Sequence, residues 1–495
     1  MFLSLMFSIL MGADLVRVDI PDHPDAIATS RLGSTLLVPP SDGTPWREAP
    51  VPETTEIEHD GWTATEAIDA MKVGPWHDAG VDGSGVKIAI FDIQWFGLEL
   101  NPSLADLPSH DCFGHRSCRL PINTIDPQFA FETGGHGVAC AEVIHAIAPG
   151  AELHLVRVNG LTALENAVDW AVREGVDLVS MSMSFFNESF YDGTGAINNA
   201  MDELTAGGVL MVSSAGNYAR QHYSARFTDN DRDNRHDFDD GREYLPVYLD
   251  KGTTKVSLIW DNYNRCGSTD LDAYIYDQDA RLVGRSTRSQ VSDDDQCFPA
   301  ETVTARVSET GWHYLLIYRA SGRSDVDFNV LTRGGSIYGA QAQGSVTDPG
   351  SHPEVFTVGA VDADGYRFND VEGFSSQGPT PAGVPKPDIA GPDGLTTSVY
   401  GPGRFYGTSA ATPSVAAALA LIMSEDPSRT ARDAAVLMKG TALHDRTTWA
   451  ARDPAEGFGK ARLHALNEPP PGCGDGSLLW LTVLWLPFGV FRRTN

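Results

Sequence analysis

The sequence predicts an α/β fold: a parallel sheet with helices on both faces, interrupted by an inserted antiparallel β-sandwich. Two patterns carry this expectation. Short apolar strands alternate with helix-length runs over residues 61–224 and again over 336–466, and strand–helix–strand units in succession call for a parallel sheet covered on both sides. Residues 225–335 break that rhythm, with strand-length runs separated by turn residues and no helical run between them. At 495 residues the chain is long enough for a large core and two or three domains.

The elements follow in order. Residues 1–12 (MFLSLMFSILMG) form an apolar run before Ala13 and polar sequence, which reads as a signal peptide without its basic leading region. Residues 13–60, rich in Pro, Asp and Thr, read as a prosegment or extended arm. VKIAIFD (86–92) and AELHLVRV (151–158) are strands. LTALENAVDWAVREG (161–175) places Leu164, Ala167, Val168 and Ala171 on one helical face, ahead of the strand VDLVSMSMS. In the insert, TKVSLIWD and DVDFNVLT alternate Val256, Leu258, Trp260 and Val326, Phe328, Val330 with polar neighbours. Residues 467–495 form a Pro/Gly-rich spacer followed by the apolar stretch Leu478–Phe491 and Arg492-Arg493. That stretch is shorter than the ~20 residues of a stable transmembrane helix and is broken by Pro487. Its order of small residues with a cysteine, apolar run and arginines resembles bacterial surface-sorting tails and would leave the body of the protein outside the cytoplasm.

Composition narrows the function. Apolar residues at 42% exclude global disorder, and 36 Lys+Arg against 66 Asp+Glu give a net charge of −30. A field of that sign repels phosphate backbones and anionic lipid, which argues against nucleic-acid binding. Six cysteines are too few for a disulfide scaffold at this length. Cys112/Cys118 and Cys266/Cys297 are each spaced for a local bridge or two free thiols, and Cys140 and Cys473 are left over.

Chemistry-bearing residues gather at strand ends and helix starts. VKIAIFD ends on Asp92, at the sheet edge where open α/β folds place their ligand sites. GGHG opens a small-residue helix with His136. GVLMVSSAGN ends in Gly216-Asn217, and Gly407-Thr408-Ser409 opens the alanine-rich helix SAATPSVAAALALIM. A carboxylate, an imidazole, an amide and a hydroxyl in such positions can converge on one cleft. Taken singly, each has a structural use as a strand-end cap, turn residue or helix cap.

The order Asp, His, Asn, Ser resembles the subtilisin-like serine proteases, the subtilases. GTSAATPSVAAA is similar to that family's GTSMAxPHVAG pattern. HGVACAEVIHAIAPGAELHLVRV matches its His segment, and HPEVFTVGAVD with FSSQGPTPAGVPKPDIAGPDG matches the lead-in to its serine. The likeness spans about residues 65–225 and 335–465. Departures are Ile93-Gln94 after Asp92, Val138 two residues past His136, and Ser182-Met183-Ser184 where the family commonly has Ser-Leu-Gly. The insert is not part of the minimal family fold; its DLDAYIYD and GWHYLLIYRASGRSDVDFNV runs resemble the sandwich domains of secreted proteases.

The resemblance implies a secreted or surface-held serine endopeptidase acting on proteins or peptides as a monomer. Ser409 would be the nucleophile, His136 the base, Asp92 its orienter and Asn217 an oxyanion donor, with Ser182, Met183, Ser184 and Gly216 lining the substrate strand. No cofactor is required, although the family implies Ca2+ as a structural ion. Asp229, Asp231, Asp233 and Asp240 fall at positions 1, 3, 5 and 12 of an EF-hand-like loop, with Asn234 in place of the position-6 glycine and Asp in place of Glu at 12. A solvated acidic loop is the favoured reading, and no metal residue is assigned. Two other classes stay open: a non-catalytic binding protein using the insert, and a Ser-Glu-Asp peptidase with Glu142 replacing the histidine. Because the insert brings no nucleophile, base or oxyanion donor, its removal is expected to spare the hydrolysis of small peptides.

Overall fold

The computed structural model describes residues 63–112, 118, 121–122, 134–238, 241–261, 268–290, 299–323, 325–443 and 452–466, with two short strands at Ala28–Ser30 and Thr35–Leu37. The expected signal peptide, most of the arm, the 467–495 tail, Cys266, Cys297, Cys473 and Asp240 lie outside the described residues.

Strand β1 (Lys87–Asp92) shows how the sheet is covered. Ile88 and Ile90 bury in one apolar cluster and Ala89 and Phe91 in another, the alternation a pleated strand imposes. After β2 (Ser109–Asp111), helix α1 (His136–Ile147) joins the first cluster. Then come β3 (Glu152–Arg157), α2 (Leu161–Arg173), β4 (Leu178–Met181), α3 (Ala196–Ala206) and β5 (Leu210–Ser214). Helices α2 and α3 cover the second face; Leu164, Ala167, Val168 and Ala171 are all buried there, as their spacing predicts. Cys112 and Cys118 are joined by a disulfide, while Cys140 is a free, buried thiol.

Past β5 the chain leaves the sheet. Strands β6 (His222–Arg226), β7 (Leu245–Leu249), β8 (Gly252–Trp260), β9 (Thr269–Tyr276), β10 (Leu282–Ser286), β11 (Ala300–Val307), β12 (Gly311–Gly322), β13 (Asp327–Arg333) and β14 (Ser336–Ile337) form two antiparallel sheets. Their orders are β11-β8-β13-β6 and β10-β9-β12-β7-β14. Val256, Leu258, Trp260, Phe328 and Val330 of the first share one apolar core with Leu271, Ile275, Leu315 and Ile317 of the second.

The insert is also fastened to the parallel part. Ile259 and Leu331 bury against Phe190 and Tyr191, in the loop that follows β4 and Ser182–Ser184. Arg333 lies 4.2 Å over the Phe186 ring, and Asn187 donates to Thr302 Oγ1. The expectation of a readily detachable insert is therefore revised, because removing it would uncover Phe190 and Tyr191.

The chain returns through β15 (Phe356–Asp362), β16 (Ile389–Asp393), α4 (Thr408–Glu425) and α5 (Ala431–Thr441). The central sheet has the order β16-β15-β5-β4-β1-β3-β2, with every pairing parallel. Helix α4 is buried nearly all round, and its alanines allow close packing on α1. The carboxyl ends of β1, β4 and β5 and the starts of α1 and α4 thus meet along one edge. Among the described residues, no helix is long and apolar enough to cross a membrane.

Candidate functional site

Asp92 closes β1 and is 1% exposed. One carboxylate oxygen, Oδ1, accepts the backbone N–H groups of Ile93 (2.8 Å) and Gln94 (3.0 Å). These are backbone donors, so the unusual side chains at 93 and 94 do not alter the fixing of the carboxylate. The other oxygen, Oδ2, is 2.7 Å from His136 Nδ1. His136 is the first residue of α1, and the helix start is tied down by Gly137 N–H donating to Gln94 O at 2.8 Å. Burial opposes protonation of His136, but the adjacent Asp92 carboxylate outweighs it and holds the imidazole well above its ordinary pKa of 6.5. Burial keeps Cys140, whose Sγ is 3.9 Å from His136 Nδ1, a thiol with a raised pKa.

Ser409 enters from α4. Its Oγ donates to Ser182 O at 3.4 Å, so among the described residues the hydroxyl has not turned to the imidazole. In the other direction, Ser182 Oγ donates to Ser409 O at 3.0 Å and Cys140 Sγ lies 3.7 Å from the same oxygen. That carbonyl is free because the residue four places on is Pro413, which has no N–H to complete the helical bond.

Asn217 is oriented by its oxygen. Oδ1 accepts Thr408 N–H (3.0 Å) and Thr408 Oγ1–H (2.9 Å), leaving the Nδ2 donor turned to the start of α4. A Cβ placed on Gly407, in its left-handed conformation (φ 107°), would stand 2.9 Å from Nδ2. Gly216 N–H donates to Thr408 Oγ1 at 3.2 Å. The amide, the helix that carries Ser409 and the AGN turn are thus one hydrogen-bonded unit.

All the site residues expected from the sequence fall at this edge, though unequally. Ser182 touches Ser409 directly. Met183 packs its side chain into the α2/α3 core instead of the cleft, and Ser184 Oγ accepts from Thr347 Oγ1 at 2.8 Å. Glu142 is not a spare catalytic carboxylate: it accepts from Asn101 Nδ2 (2.6 Å), Ser398 N–H (2.9 Å) and the Ser398 hydroxyl, fastening α1 to the 398 loop. Sequence reasoning missed Thr408, although it stands in the GTS run. It also missed Tyr218 and Asp393, whose Oδ2 accepts Gly407 N–H at 2.8 Å.

Asp229, Asp231 and Asp233 bring carboxylate oxygens within 4.8 Å of one another. Asp229 Oδ2 accepts from Arg319 at 2.9 Å, and its buried Oδ1 has no hydrogen-bond partner among the described residues. That orphaned oxygen suits a hard cation; the guanidinium beside it already meets part of the charge.

The comparisons place the chain among known proteins. Residues 83–240 and 256–462 match the model of the subtilase family. The chain is similar to the minor extracellular protease Vpr of Bacillus subtilis, 23% identical over 436 residues, covering 78% of this chain and 52% of that one. It is also similar to a thermostable alkaline protease of Halalkalibacterium halodurans, 26% identical over 169 residues, covering 31% of this chain and 42% of that one. The chain thus spans about half, or less, of the length of these curated relatives. Among solved structures, the CspB protease of Clostridium perfringens shares the fold, with a TM-score of 0.55 at 14% identity over 81% of this chain and 97% of that one. With the family model matched across most of its length, this chain belongs to the subtilase family.

Proposed function

We propose that the protein is an exported serine endopeptidase that hydrolyses peptide bonds of proteins or peptides. The observation that carries this reading is the 2.7 Å contact of Asp92 with His136, set beside Ser409. An alcohol is a poor nucleophile at neutral pH without a base. Rotation of Ser409 about χ1 turns its Oγ from Ser182 O toward the imidazole, whose Nδ1 is already held by Asp92. His136 in its neutral form takes the hydroxyl proton as Oγ attacks the scissile carbonyl. Asp92 fixes the tautomer and stabilises the imidazolium. The charge that develops on the carbonyl oxygen is met by Asn217 Nδ2–H and the Ser409 backbone N–H, which the first turn of a helix leaves without an internal partner. Collapse of the intermediate transfers the proton from His136 to the leaving amine. A water, deprotonated by the same imidazole, then releases the acyl group and restores Ser409.

The test is a fluorophosphonate probe. It is expected to label the wild type and not Ser409→Ala; an unlabelled, folded wild type would favour a non-catalytic binding role. Export and attachment through the 467–495 tail, and a monomeric state, belong to the same proposal. Export and attachment rest on the apolar ends of the sequence, and cell fractionation with sizing of the released protein checks all three. A structural Ca2+ would be held by Asp229, Asp231 and Asp233, supplying positive charge at the start of the insert; no step passes through it. A melting temperature unchanged by chelation would remove it.

A further inference from the structure

Resting on that reading, one feature of the cleft bears on which peptides it takes. The attacked carbonyl carbon sits at Ser409 Oγ with its oxygen toward Asn217. The acyl-side residue begins its side chain at a Cα only ~1.5 Å from that carbon. Two walls flank Ser409 there. One is the Ser182–Ser184 segment just past β4, in contact with Ser409 through Ser182; the other is the Gly216-Asn217 turn, which holds Thr408. The first side chain of the acyl fragment has to enter the gap between them.

That gap is spanned by Tyr218. Its ring packs against Gly216, where a Cβ would come within 2.7 Å of two ring carbons. At the opposite wall its hydroxyl comes close to the side chain of Ser184, whose Oγ accepts from Thr347 Oγ1 at 2.8 Å. Phe186 backs the ring edge-on at a centroid distance of 5.3 Å. Tyr218 N–H donates to Ser376 Oγ at 3.0 Å, so the backbone beneath the ring is pinned as well. Ser184 stands where the resemblance predicts a glycine, and its side chain adds bulk to that wall that a glycine would not. Burial raises the pKa of the Tyr218 phenol, which keeps it neutral within the gap.

We infer that Tyr218, placed between Gly216 and Ser184, closes the pocket beside the nucleophile and restricts cleavage to peptides with Gly, Ala or Ser on the acyl side of the scissile bond. Side chains of that size fit above the ring, whereas an aromatic or long aliphatic group would have to displace it. A pocket contact that discriminates by a methylene or more typically changes kcat/KM by about 10–200-fold.

The experiment compares two chromogenic peptide anilides, identical except for Ala or Phe next to the anilide, on the full chain. Wild type is expected to prefer Ala by at least about tenfold in kcat/KM. Tyr218→Ala should invert that ratio. Tyr218→Phe, which keeps the ring, should keep the preference, and Ser184→Gly, which widens the opposite wall, should move the ratio part of the way. Fluorophosphonate labelling of Ser409 is measured on every variant, so a misfolded protein is recognised and a milder variant is read in its place. A labelled wild type that prefers Phe, or a labelled Tyr218→Ala with the wild-type ratio, would overturn the inference and leave the protease reading standing. A wild type that neither labels nor cuts either peptide would overturn both.

Discussion

Asp393 ends β16 with 0% exposure, one oxygen on the Gly407 N–H and the other without a hydrogen-bond partner among the described residues. Burial, assisted by the carboxylates of Glu372 and Asp362 and only partly offset by the Gly407 N–H, lifts its pKa from 3.8 to about 7. The native state therefore holds this proton more tightly than the unfolded chain does. Stability is lost as pH rises through the window between those values, and the full penalty of about 4 kcal/mol is reached above pH 7. At pH 5 only about 1.5 kcal/mol of it is present. Asp393→Asn removes the charge and keeps an oxygen for Gly407 N–H. Its new amide N–H2 replaces the unpartnered oxygen at a cost of ~1–3 kcal/mol that does not vary with pH. The prediction is thus a slope: relative to the parent, the variant should gain about 3 kcal/mol of stability between pH 5 and pH 8.5. Urea unfolding followed by tryptophan fluorescence, with both chains carrying Ser409→Ala to prevent autolysis, measures it. If the difference between the two chains is the same at both pH values, Asp393 is not the buried acid described here.

Other outcomes follow from the same geometry. Asn217→Ala should lower kcat by about 10²–10³ with little change in KM; an intact kcat with a raised KM would show that the amide binds substrate and not the oxyanion. Because Asp92 holds the His136 imidazole protonated above its ordinary range, kcat/KM should climb as pH rises beyond neutrality, and a limb at or below 6.5 would contradict that coupling. Mercurials should inactivate the wild type by placing a bulky adduct at Cys140, 3.9 Å from the imidazole, while Cys140→Ala stays active and resistant. A dead but folded Cys140→Ala would give the thiol a positioning role. Replacing residues 225–335 by a short Gly/Ser linker should expose Phe190 and Tyr191 to an apolar dye and reduce small-peptide turnover; undiminished turnover would show that the 185–191 loop holds its shape alone.

The fold was legible where its cause is local. The period of two in KIAIFD and the spacing of Leu164, Ala167, Val168 and Ala171 give both faces of the sheet, and Asp92, His136, Asn217 and Ser409 stand in motifs short enough to read. What escaped depends on contacts between distant segments. Tyr218 and Ser184 are separated by a helix and a strand, and nothing local to either marks that they meet in the gap. Asp393 looks like any strand-end aspartate until Gly407 is brought onto it. Glu142 seems available in sequence because its partners, Asn101 and Ser398, lie far from it on both sides. The attachment of the insert rests on Ile259 and Leu331, whose positions in their strands face away from the insert's own core.

The neck of the insert bears on how the chain folds. Strands β5 and β15 are neighbours in the parallel sheet, yet the entire excursion lies between Ser214 and Phe356. Where the chain departs and returns it is stitched across: Thr332 N–H donates to Gln221 O (3.0 Å), Ile337 N–H to Arg220 O (3.0 Å) and Gln341 N–H to His222 O (2.9 Å). Once the antiparallel strands have formed, that long stretch behaves as a short tether, and the entropy of bringing β15 to β5 is already met. Before then, β15 has to find its partner across more than a hundred mobile residues, a search that slows parallel pairing and leaves apolar strand edges open. An early-folding insert would therefore act as an internal template for closing the sheet that carries Ser214 and the AGN turn after it.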